Sequence, residues 1–210
     1  MRRMALAALL LPIALPAAEQ DERLVERAHQ DRTIVYFLKA PETHAFELYH
    51  DYTETKEGED HYVNIVRKGS RASDPSAMNL DTGEALLVSS LKGKAIADAK
   101  IDIGEPVTEE SEVVLAKFAP VVKGGSVRIR IRETYTDPAR YRAEGDEFVW
   151  DRSLGRPKNA VVLPPGYFLT VCTIPATVSI TEDGRVRLDF VNDRPDDIAV
   201  LLRGRKRKTP

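Results

Sequence analysis

Ser126-Val127-Arg128-Ile129-Arg130-Ile131-Arg132-Glu133-Thr134-Tyr135 is the stretch on which the fold turns. Val127, Ile129 and Ile131 alternate with Arg128, Arg130 and Arg132. A strand sends successive side chains to opposite faces, whereas an amphipathic helix needs apolar residues three or four apart. The alternation therefore predicts a β-strand with one face turned to a core and a basic face turned to water. Gly124-Gly125 opens the stretch and Asp137-Pro138 closes it, residue types that interrupt regular structure.

Working outward, the same period recurs. Thr33 to Leu38 is a β run broken by Pro41-Glu42-Thr43. Ala45 to Thr55 and Tyr62 to Arg67 read as arms of a hairpin around Lys56-Glu57-Gly58-Glu59-Asp60. Ser73-Asp74-Pro75-Ser76 reads as a turn or helix start. Ala85 to Ser90, Ala95 to Ile103 and Val113 to Phe118 follow as extended runs. Downstream lie Glu147 to Asp151, Ala160 to Leu163, Tyr167 to Thr173, Ala176 to Thr181, Arg185 to Val191 and Ile198 to Leu202. Many short strands with little helix between them predict an all-β protein of antiparallel β-sandwich architecture. Pro120 to Gly125 reads as a seam between an N-terminal β module, 19–120, and an Ig-like C-terminal sandwich, 121–203, with a basic tail over 204–210. A single elongated sandwich is the alternative. Glu22 to His29 is expected to form a short helix ahead of the first strand.

One hairpin can be read to its register. With a three-residue loop Glu182-Asp183-Gly184, Ile180 pairs with Val186, Val178 with Leu188 and Ala176 with Phe190. A two-residue loop would mix apolar and charged side chains on each face, because a one-residue slip reverses every side chain. A type I turn with a bulge follows, with Gly184 left-handed.

The N-terminus carries an address. Arg2 and Arg3 precede an apolar run from Met4 to Leu15, then Pro16-Ala17-Ala18 and the polar Glu19-Gln20-Asp21. This is the charge–apolar–small order of a secretory signal peptide, taken as residues 1–18. A run this short does not fit a membrane span, which needs about 20 residues in a helix. The expectation is an exported protein, periplasmic or extracellular, with no stable transmembrane insertion after cleavage. Cys172 is the only cysteine, so no internal disulfide forms and the thiol reads as a buried small hydrophobe. With 31 Lys and Arg against 33 Asp and Glu, the net charge of −2 argues against nucleic acid as a partner.

Candidate functional residues are sparse. Arg128, Arg130 and Arg132, with the shorter row Arg185 and Arg187, could bind a polyanion or a protein partner, or form a solvated face neutralised by neighbouring acids. Trp150 could stack on a sugar or fill a core. His44, His50 and His61 are weak metal candidates: on one strand His44 and His50 lie about 20 Å apart, too far to share an ion. Glu133, Asp146, Glu147 and Asp151 could converge from neighbouring strands. Arg203-Gly204-Arg205-Lys206-Arg207-Lys208 could touch an anionic surface as a mobile end. Elbow, zinc-helix and phosphate-loop motifs are missing from the sequence, and no cofactor is expected.

Arg67-Lys68-Gly69-Ser70, Asp81-Thr82-Gly83-Glu84, Phe148-x-x-Asp151-Arg152-Ser153-Leu154-Gly155 and Asn159-Ala160-Val161-Val162-Leu163-Pro164 resemble runs in uncharacterised exported bacterial β-sandwich proteins. The layout is similar, more distantly, to the non-catalytic β domain that precedes the catalytic domain of gluzincin aminopeptidases. The resemblance implies a β-sandwich and brings no activity; the His-Glu-x-x-His motif of those enzymes is not in this sequence. The expected function is a non-catalytic binding or accessory protein of the bacterial envelope, with a protein or envelope glycan as partner. The alternatives are a hydrolase whose carboxylates and histidines are assembled by the fold, and an oligomerising structural module using free strand edges.

Overall fold

The computed structural model describes residues 30–208. The expected signal peptide, 1–18, and the helix over Glu22 to His29 lie outside the described residues. In chain order the strands are β1 (Arg32–Leu38), β2 (Ala45–Glu54), β3 (His61–Ile65), β4 (Arg71–Asn79), β5 (Ala85–Lys92), β6 (Glu112–Lys117) and β7 (Val127–Thr136). They continue as β8 (Tyr141–Glu144), β9 (Glu147–Leu154), β10 (Lys158–Val162), β11 (Tyr167–Cys172), β12 (Thr177–Ile180), β13 (Val186–Val191) and β14 (Ile198–Lys206). One short helix, α1 (Lys94–Asp98), follows β5, and a 3-10 turn at Pro41–Thr43 joins β1 to β2. No helix of the described residues is long and apolar enough to cross a membrane.

The protein is an all-β sandwich. Ten strands form one sheet in the order β12-β13-β10-β1-β2-β7-β4-β5-β6-β3, and four form a second in the order β11-β14-β9-β8. Alternation drives the layering. Ile129, Ile131, Glu133 and Tyr135 of β7 are buried while Arg128 and Arg132 are exposed. Phe46, Leu48, His50 and Tyr52 of β2 face the same way. The large sheet bends back on itself: Tyr62 of β3 and Ala116 of β6 share a core with Tyr52, Ile129 and Ile131. The small sheet covers the other half, packing Phe148, Trp150, Val200 and Leu202 against Tyr36, Phe46, Val161 and Leu188. The roof over the large sheet therefore has two parts, β3–β6 and the four-stranded sheet. Arg67 bridges them, donating from Nη2 to the Ser153 carbonyl at 3.3 Å.

Several expectations are corrected. Ala45 to Thr55 and Tyr62 to Arg67 do not pair: β2 lies between β1 and β7, and β3 pairs with β6. The inward row of β2 finds longer apolar partners there than β3 could supply. The seam at Pro120 to Gly125 does not separate two modules, because β2 pairs with β7 from Ala45↔Thr136 to Glu54↔Val127. The C-terminal half is not a closed Ig-like sandwich either, since β7, β10, β12 and β13 join the large sheet and β8, β9, β11 and β14 the small one. Strands from both sides of Pro120 to Gly125 thus join in the large sheet. One pair, β1 with β10, is parallel.

Ala95 to Ile103 opens with α1 and is not a strand; Ala95 and Ala97 are strong helix formers, Lys94 and Asp98 pair at 2.7 Å, and Ile96 is buried. Ser73 to Ser76 is an irregularity inside β4, with Asp74 at φ 53, and not a turn. The basic tail is strand as far as Lys206. Arg205 pairs with Glu147, and Gly204 lies opposite Phe148. A Cβ at Gly204 would sit 2.3 Å from Phe148 Cε1 and 2.7 Å from the Phe168 carbonyl oxygen, so only glycine lets β14 approach that ring.

The β12–β13 hairpin has the predicted register: Ile180 pairs with Val186 and Val178 with Leu188. Gly184 has φ +80, which a β-branched side chain tolerates poorly. Val186 and Leu188 are buried, but Val178 and Ile180 on the edge strand are exposed, since the small sheet does not reach that far.

Candidate functional site

Four inward rows each carry one polar side chain among apolar ones. These are His50 on β2, Asn64 on β3, Glu133 on β7 and Arg152 on β9. His50 is 3 % exposed, Glu133 2 % and Arg152 7 %. They meet where the two parts of the roof adjoin. A cavity of about 170 Å³ opens there, floored by Ile34, Tyr36, Leu48 and His50 and walled by Asn64, Arg67, Tyr135, Arg152 and Arg156. Asp197 lies at the same rim.

The hydrogen bonding is partial. Asn64 Nδ2 donates to Glu133 Oε2 at 2.7 Å and to the Tyr135 hydroxyl at 3.1 Å. His50 Nδ1 lies 3.2 Å from the Tyr62 hydroxyl. Arg152 Nη1 donates to Asp137 Oδ2 at 3.1 Å, and its guanidinium sits 4.9 Å from the Phe46 ring centre. Yet His50 Nε2, Glu133 Oε1 and Arg152 Nε are buried with no partner among the described residues. Buried polar atoms are rarely left so, because each costs about 1–3 kcal/mol.

Burial also moves the titrations. Loss of water pushes the Glu133 carboxyl up to about 7, with Glu112 adding to the rise and the Asn64 and Tyr135 hydrogen bonds opposing it. Burial holds the His50 imidazole well below its ordinary value, and the positive charges of Arg32 and Arg156 reinforce this. Burial lowers the Arg152 guanidinium too, with the nearby charge of Arg67 adding to it. At neutral pH His50 is thus neutral, while Glu133, which accepts from the pocket's Asn64 without lining the cavity itself, is divided between its acid and its anion.

The residues singled out in the sequence fall elsewhere. The arginine stripe lies on the outer face of the large sheet: Arg128 pairs with Asp81 at 2.7 Å and Arg130 with Asp51 at 2.6 Å. Arg130 and Arg132 lie over the Tyr49 ring at 4.2 and 5.8 Å. Arg185 pairs with Asp183 and Arg187 with Asp189, each at 2.7 Å. Trp150 is fully buried against Tyr36, with ring centres 5.5 Å apart, which leaves no face for a sugar. The three histidines do not converge. His44 caps the 3-10 turn beside the Tyr141 carbonyl, His50 is in the core, and His61 is on the surface beside Asp60 and Glu59. Ligand atoms of Glu59, Asp60 and His61 lie within 4.8 Å of one another, all from one exposed segment. Of the four carboxylates that neighbouring strands could have brought together, Glu133 is interior while Asp146 and Glu147 engage Arg205 and Asp151 is exposed. Cys172 is half-buried, and its thiol donates to the Ile174 carbonyl at 3.0 Å. A second, larger groove of about 420 Å³ lies at the far end of β1, lined by Phe37, Pro41, Pro164, Pro165 and Tyr167 with the Lys39–Glu47 pair.

No protein-family description matches this chain, and no curated protein does. Among solved structures, it is similar to an M1 zinc metallopeptidase from Deinococcus radiodurans at 12% identity and a TM-score of 0.47, over 82% of this chain and 41% of that one. It is likewise similar to an aminopeptidase N family protein from Idiomarina loihiensis at 11% identity and a TM-score of 0.45, over 81% of this chain and 29% of the other. The chain thus spans less than half the length of either protein.

Proposed function

We propose that this is an exported, non-catalytic binding protein of the bacterial envelope, and that its ligand seats in the cavity between the two parts of the roof. One observation carries the reading. His50 Nε2 and Arg152 Nε belong to side chains that line the cavity, are buried, and have no partner within the described chain. A fold that only needed stability would place apolar residues there, as the rest of both rows does. Export is supported by the order of residues 1–18 alone.

The test is a thermal-shift panel of small polar compounds, anionic, neutral and cationic, on the wild-type chain and on His50→Phe. At least one compound should raise the melting temperature of the wild type and lose that effect in the variant. If none does so, the cavity is a structural water pocket and the reading fails. Fractionation with sequencing of the mature N-terminus checks the address; an intact Met1 in the cytosol would remove it.

A hydrolase remains the second reading, favoured by a Glu133 carboxyl that titrates at about 7, where a general acid or base works well near neutral pH. Turnover of a bound compound that disappears in Glu133→Gln, with binding retained, would establish it over simple binding.

A further inference from the structure

The chemistry of the cavity narrows its ligand, and this step rests on the binding reading above. The guanidinium groups of Arg67 and Arg152 line the pocket. Arg67 donates to a backbone carbonyl, that of Ser153, at 3.3 Å. Arg152 shares Asp137 with Arg140, whose Nη1 lies 3.5 Å from the same oxygen. The neutral side chains that complete the wall, Asn64 and Tyr135, carry a donor amide and a hydroxyl, and His50 Nε2 lacks a partner on the floor. A forked guanidinium matches the paired oxygens of a carboxylate or phosphate. A volume of about 170 Å³ is that of several waters at about 30 Å³ each, which excludes a polymer chain and suits a compound of a few heavy atoms.

We propose that the roof cavity binds a small oxyanion, a short carboxylate or inorganic phosphate, held by Arg67 and Arg152 with His50 beneath it. Guanidinium donors make the pocket selective against neutral isosteres of the same shape. The Arg67 bridge makes occupancy tie the two parts of the roof together, since its guanidinium already reaches from the end of β3 to the Ser153 carbonyl on β9.

Calorimetric titration of the wild-type chain with succinate, with inorganic phosphate and with neutral succinamide, all at constant ionic strength, tests this. One of the two anions should bind, and which one tells a carboxylate source from a phosphate source. Arg67→Gln should weaken that binding about tenfold or more, the range of a lost charge-assisted contact, and Arg67→Lys should restore part of it. Arg142→Gln, on β8, should leave it unchanged. If succinamide binds as well as succinate, the cavity is a ligand site but the anion assignment is wrong. If neither anion binds, or if Arg142→Gln weakens binding as much as Arg67→Gln, the proposal is overturned.

Discussion

The two faces of β7 handle charge in opposite ways. On the outside, Arg128 and Arg130 each meet a carboxylate from a neighbouring strand or turn, Asp81 and Asp51, within reach of water. On the inside, Glu133 interrupts the row Ile129, Ile131, Glu133, Tyr135 and accepts from Asn64, which lines a cavity with His50 and Arg152. Outer charges are cancelled pair by pair, and water screens what remains. Inner groups are cancelled only in part and have no water to fall back on. The lesson is that the abundant, conspicuous charges of a sheet are the energetically cheap ones, while a single polar residue in an apolar row marks where a fold spends stability.

The sharpest way to break this comparison is Arg152→Met. It leaves Asp137, which is fully buried, dependent on Arg140 and Ser70. The expected loss is about 3 kcal/mol, as for other broken buried pairs. Urea unfolding measures it, and a loss as small as that of an outer arginine would end the distinction.

Glu133→Gln comes next and acts in the opposite direction. The folded carboxyl titrates at about 7, above the ordinary glutamate value. Both states are protonated in acid, and as pH rises from about 4.3 to 7 the unfolded chain releases this proton first. The wild type therefore loses stability through that window, by about 4 kcal/mol in all. The glutamine variant should be more stable than wild type at pH 8 and flat across the same range.

His50→Phe should flatten the acid limb. With the folded imidazole held down by burial, both states are neutral above about 6.5, and below it only the unfolded chain gains the proton. Stability then falls by about 1.4 kcal/mol for each further pH unit until the folded group titrates. Retention of that slope in the variant would assign it to another group. Smallest of all, Arg130→Gln on the outer face should cost under about 1 kcal/mol, and less in high salt.

Much of the fold was legible because alternation is a local signal. The strand Ser126 to Tyr135, the register of Ile180 with Val186 and the left-handed Gly184 all followed from residues close together in the chain. What failed was non-local. The hairpin expected between Ala45 to Thr55 and Tyr62 to Arg67 ignored that β1 and β7 offer better partners to β2. The basic character of Arg203 to Lys208 hid a strand, because its charge is answered by Glu144 and Glu147 across the sheet. The inward polar residues at the cavity and behind it were visible, one in each of four apolar rows: Phe46-x-Leu48-x-His50-x-Tyr52, Tyr62-x-Asn64-x-Val66, Ile129-x-Ile131-x-Glu133-x-Tyr135 and Phe148-x-Trp150-x-Arg152-x-Leu154. Weighing histidines by metal spacing and arginines by abundance passed over them. Asking which polar side chain stands in an inward position would have found them, although only the folded roof shows that the four meet.

The parallel pairing of β1 with β10 sets a clock on the molecule. Thr33 lies beside Lys158, so two adjacent interior strands of the broad sheet come from opposite ends of a long stretch of chain. The small sheet in turn needs β14 between β9 and β11 before either has a neighbour on that side. Assembly cannot be completed in order of synthesis, and contacts so distant in sequence place refolding in the slow, millisecond-to-second class. Until residue 206 is present the polypeptide keeps long unpaired edges, which the finished molecule closes only with its last strand.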